Sequence, residues 1–154
     1  MNIRKIIPII FLLIPSSIFT ACEDEGDEDE IKISYSDGKE SHRAGEDCMN
    51  CHYYGGSGEY WFQIAGTVYD STLTNTYPGA TLKLYSEPNG AGELIYSVEV
   101  DLLGNFYSTE QIDFGNGLYP VVQGDELSKY MLSAVTTGRC NSCHGNSKDV
   151  IWTK

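Results

Sequence analysis

Between residues 62 and 124 the apolar residues come only in short runs, "FQIAGTVYD", "ATLKLYS", "LIYSVEVD", "GNFYSTEQI" and "LYPVVQG", each rich in Val, Ile, Leu, Tyr or Thr. The breaks between them, "YPG", "EPNGAG", "DLLGN" and "FGNG", carry the Gly, Pro and Asn that turns use. None of these runs is long enough for a stable helix, and "TLKLY" and "YSVEV" alternate apolar with polar positions, the period of a strand with one buried face. Short strands at this spacing favour antiparallel pairing through tight turns and stacking as two sheets. The stretch reads as a single antiparallel β-sandwich, and the chain as mainly β. Asp70, Glu99, Asp101, Glu110 and Asp113 within it are expected to be solvated outward positions, and no Ser/His/Asp set or convergent carboxylate pair points to catalysis there.

The segments on either side differ in character. Residues 37–61 are polar, glycine-bearing and aromatic, without helical periodicity, and contain "CMNCH" at 48–52. From residue 125 to 154 the strand pattern fades; one short helix is expected over 126–134, followed by "CNSCH" at 140–144. The expected layout is one β-domain, 62–124, with a short irregular CxxCH segment appended at each end.

Four pieces of the β-stretch occur in an order that resembles the transthyretin-like, or carboxypeptidase-regulatory-type, β-sandwich. They are Gly66-Thr67-Val68, the "PGATLKLY" strand from Pro78 to Tyr85, the "DLLGNF" turn and strand from Asp101 to Phe106, and Tyr119-Pro120-Val121. The resemblance covers about sixty residues and implies an immunoglobulin-like scaffold. Fold alone assigns no activity.

Residues 1–21 read as an export signal. Arg4 and Lys5 form a positive start, "IIPIIFLLIPSSIF" an apolar run, and "FTA" leads to Cys22. A cysteine at that point resembles the lipobox of bacterial lipoproteins, which implies lipidation of Cys22 and attachment to the outer membrane. Residues 22–36 are expected to be an acidic tether, because "EDEGDEDE" has nothing to bury. Such a run also resembles the surface-export signal of some bacterial lipoproteins, implying the cell surface. Eight of the 10 basic residues and all 22 acidic ones follow position 21, leaving a formal charge near −14. A surface so negative repels phosphate, so nucleic acid is not an expected partner.

Export matters to the cysteines. Two cysteines three positions apart can bond as thioethers to the two vinyl groups of a haem, and a histidine directly after them falls under the iron as proximal ligand. Cys48, Cys51 and His52 make one such set and Cys140, Cys143 and His144 a second, so two covalent haem c groups are expected. Together the sets use every cysteine after Cys22 and two of the three histidines. The four thiols are also two CxxC knuckles that could form a Cys₄ zinc site; this leaves the histidine after each pair without a role. A thioredoxin-like dithiol needs a helix start in a βαβ setting, which the sequence lacks.

The ligand on the far side of each iron decides its chemistry: two strong ligands leave electron transfer, an open position admits gases or peroxide. The spare histidine, His42, is the distal candidate for the first iron, and Met131, or His42 crossing over, for the second. Tyr53, Tyr54, Tyr60, Trp61 and Phe62 follow the first motif, and Tyr130, Ile151 and Trp152 surround the second; each group can pack either a macrocycle or the β-domain. By its motifs the chain resembles small exported multihaem c-type cytochromes. That resemblance implies a non-enzymatic electron carrier serving redox partner proteins or extracellular acceptors, with ligation in trans offering a route to a homo-oligomer or filament. A non-redox surface-binding lipoprotein with zinc, and a haem-based gas sensor or peroxidase, are the competing expectations.

Overall fold

The computed structural model describes residues 30–154 and is mainly β, with three single 3₁₀ turns as its only helical elements among those residues. The signal segment, Cys22 and the acidic run up to residue 29 lie outside the described residues. Eight strands form: β1 (Ile64–Tyr69), β2 (Thr81–Glu87), β3 (Ala91–Glu99), β4 (Asn105–Ser108), β5 (Tyr119–Gln123), β6 (Ser128–Tyr130), β7 (Gly138–Arg139) and β8 (Ile151–Trp152). The five apolar runs of the sequence are β1 to β5.

They build two four-stranded sheets. One is antiparallel in the order β3-β2-β5-β6; in the other β1 pairs β4 antiparallel and takes β7 and β8 in parallel. Side chains from both sheets share one core: Ile64, Val68 and Phe106 from the second, Leu82, Leu84, Val98 and Val122 from the first. Each such side chain contributes about 1.5–3 kcal/mol when fully buried. Gly66 has no side chain because its space is taken: a Cβ there would lie 2.5 Å from the Phe106 ring and 3.0 Å from Cys140 Cβ.

Three expectations are corrected. Residues 126–134 are not helical; Ser128–Tyr130 is β6, paired with Val121–Gln123, because the free edge of β5 offers a full ladder of hydrogen bonds that outweighs a weak helix propensity. The tether does not reach residue 36, since Ile33 bridges Ser108 and the buried Ser34 exchanges bonds with Tyr107 and Glu99. Asp101 is not solvated. It is 1 % exposed, and its Oδ1 accepts the Leu103 and Asn105 N–H groups at 2.9 and 3.0 Å, closing the turn from β3 into β4.

The parallel pairings position the second CxxCH. β7 meets Ile64 and Ala65, and β8 meets Val68 and Tyr69. The two are halves of one interrupted edge strand, and residues 140–150 loop out between them. The terminal segment is thus built into the sheet rather than appended to it.

Candidate functional site

Both motifs adopt the same tight turn. Cys51 and His52 donate their N–H groups to the Cys48 carbonyl at 3.1 and 3.0 Å, and Cys143 and His144 donate theirs to the Cys140 carbonyl at 3.2 and 3.0 Å. Asp47 caps the first turn, its Oδ1 accepting the Met49 N–H. All four cysteines are free thiols, Cys51 and Cys143 exposed and Cys48 and Cys140 half-buried. Burial pushes the Cys48 thiol up and Cys140 up to about 12, so both stay protonated and are covered on the protein side. Among the described residues no three His, Cys, Asp or Glu side chains converge as a metal-binding group, so the four thiols do not meet as a Cys₄ set.

The histidines are oriented alike. His52 Nδ1 lies 2.8 Å from the Glu59 carbonyl, and His144 Nδ1 lies 2.6 Å from the Asp149 carbonyl. A carbonyl can only accept, so each neutral ring carries its proton on Nδ1 and leaves Nε2 with a bare lone pair. That is the tautomer for binding a metal through Nε2, held by the Nδ1–H bond to a carbonyl that such ligands usually make. Gly58 lets its loop close over the ring, since a Cβ there would lie 2.7 Å from His52 Nδ1, and Phe62 stacks on the same ring at 4.3 Å.

In front of the first motif lies an open cleft of about 820 Å³, large enough for a cofactor. Its wall contains Cys48, Cys51, His52 and His42 together, with Phe62 and Tyr107 on the β-domain side. The His42 ring centre is 5.8 Å from that of His52. Asn105 Nδ2 holds the His42 segment in place through Ser41 Oγ at 2.9 Å. Tyr60 borders this cleft, while Tyr53, Tyr54 and Trp61 are exposed and do not line it.

Beside His144 there is a pocket of about 100 Å³, bordered by Thr67, Tyr69, Asn141 and Ile151. Met131 borders neither cavity; it follows β6 and donates its N–H to Pro120 on the other sheet, so the structure does not bring it to His144. Of the residues expected around this motif, Ile151 packs against the core and also borders the pocket beside His144, while Trp152 carries Lys129 Nζ at 3.5 Å over its ring.

Residues that motif reading overlooked hold the two sites together: Asp47, Asn50, Arg139 and Asn141. The opposite charges directly before the two motifs, Asp47 and Arg139, were the readable signal. No protein-family model, no curated protein and no solved structure matches this chain.

Proposed function

We propose that the chain is a di-haem c-type cytochrome, an electron carrier and not an enzyme. Cys48 and Cys51 would hold one haem and Cys140 and Cys143 the other, with His52 and His144 as proximal ligands and His42 as the distal ligand at the first site. A haem held by these residues would supply one-electron ferric/ferrous chemistry. The observation that carries the reading is that both CxxCH turns present a histidine with Nδ1 tied to a backbone carbonyl and Nε2 free. The cleft that gathers Cys48, Cys51, His52 and His42 supports it for the first site.

The chain's own residues do the rest. Phe62 and Tyr107 give the first cleft an apolar back wall, and Gly58 admits the loop that orients His52. The β-domain, which we take to be a transthyretin-like sandwich, fixes both motifs on strand β1. Lipidation at Cys22 would place the carrier on the outer membrane, facing outward, and its negative surface favours basic redox partners or cationic shuttles in a salt-sensitive encounter.

The experiment is to produce the mature chain in a host with c-type cytochrome maturation, then record its Soret band, its haem count by pyridine haemochrome and its zinc content. Two haems per chain are expected. A colourless protein with one zinc would sink the reading in favour of a zinc-stabilised binding module.

A further inference from the structure

The two motifs, far apart in sequence, are locked to each other by reciprocal contacts. Arg139, directly before Cys140, donates Nε and Nη2 to Asp47 Oδ2 at 3.1 and 2.6 Å, and Nη2 also to Asn50 Oδ1 at 2.6 Å. One guanidinium therefore grips the residue before Cys48 and the residue before Cys51. In return Asn141, directly after Cys140, donates Nδ2 to the Glu46 carbonyl at 3.1 Å.

Neither partner is free to drift. Asp47 is only 12 % exposed at its side chain, and its other oxygen caps the first turn. Arg139 is the last residue of β7, anchored to Ala65 of β1. A planar fork on two acceptors fixes orientation as well as distance, which the single ammonium of a lysine does not. The fold does not need this grip, because β7 and β8 already bind β1 through their backbones, and a part-exposed ion pair adds little to stability. What it does fix is the position of Cys48 relative to Cys140.

We propose, resting on the reading that both motifs carry haem, that Arg139 is a positioning residue: its grip on Asp47 and Asn50 sets the relation between the two attachment sites so that haems bound there form one interacting pair. Electron exchange falls steeply with separation, so a fixed short path between the sites would make the chain a two-centre relay rather than two independent carriers.

The test uses the mature holoprotein and reads Soret circular dichroism beside the haem count, since two interacting haems give a bisignate couplet and isolated ones do not. Wild type is expected to hold two haems and show the couplet. Arg139→Ala is expected to hold two haems, lose the couplet and change the separation between the two midpoint potentials. Two haems without a couplet in wild type, or a couplet in R139A equal to that of wild type, overturns the positioning role and leaves the haem reading standing. A wild-type chain that binds no haem overturns the haem reading, and this proposal with it. Should R139A mature with fewer than two haems, Arg139→Lys, which keeps the charge without the fork, decides by the same readout: a diminished couplet supports the role and an undiminished one overturns it.

Discussion

The rings of His42 and His52 lie 5.8 Å apart, centre to centre, in the wall of one cleft that also contains Cys48 and Cys51. The two rings are close enough to face one bound group, and the His42 backbone is pinned there by Asn105.

If the chain carries the two proposed haems, replacing His42 by Ala is accordingly expected to turn one of them high-spin and to let it bind carbon monoxide, with the other unchanged. Absorption and electron paramagnetic resonance spectra with and without the gas check this. If H42A gives the wild-type spectra, His42 is not a ligand.

Met131 should behave in the opposite way. It sits beyond β6, hydrogen-bonded to Pro120 on the sheet that does not contain β1, and borders neither cavity. On the same two-haem proposal, Met131→Ala is expected to leave the spectra and midpoint potentials as they are in wild type. A shift in either potential or the loss of a low-spin signal would put Met131 on an iron.

Sequence periodicity located β1 to β5 because each has its own apolar alternation and its own turn. It missed β6, β7 and β8 for a physical reason: strands of two or three residues carry no period, and they exist only because β1 and β5 present free edges to them. The same holds for the site. Cys48, Cys51, His52 and their counterparts stand out in the sequence because the CxxCH spacing occurs twice. The proximity of the two motifs is not, because it depends on the parallel docking of β7 and β8 along β1, and Asp101 misleads because a turn-closing carboxylate looks like any surface acid until its loop is seen.

The interruption between β7 and β8 makes Asn141 a structural keystone. Its buried side chain accepts the Thr67 N–H at 3.1 Å, which lies opposite the gap, and donates to Thr67 Oγ1 and the Glu46 carbonyl at 3.2 and 3.1 Å. Asn141→Ala strands a buried donor as well as losing bonds, for an expected loss of about 2–3 kcal/mol. Urea unfolding of the mature chain measures it, and a change within error of zero would mean that water replaces the amide.

Tyr96 gives the fold an alkaline limit. Burial raises its hydroxyl to about 12, and the neutral hydroxyl donates to Ser108 Oγ at 2.7 Å. The neutral phenol is thus favoured in the folded state, while an unfolded tyrosine ionises near about 10. The folded state holds the proton more tightly, so this contribution is fully present below about pH 10 and is lost as pH climbs from there toward about 12. Denaturation midpoints measured from pH 8 upward should fall over that window, and Tyr96→Phe, which has no proton to lose, should flatten the fall while lowering stability at pH 8 through the lost Ser108 bond. An unchanged alkaline slope in Y96F would assign the limit to another group, with Tyr107, whose hydroxyl burial also raises, the next to test.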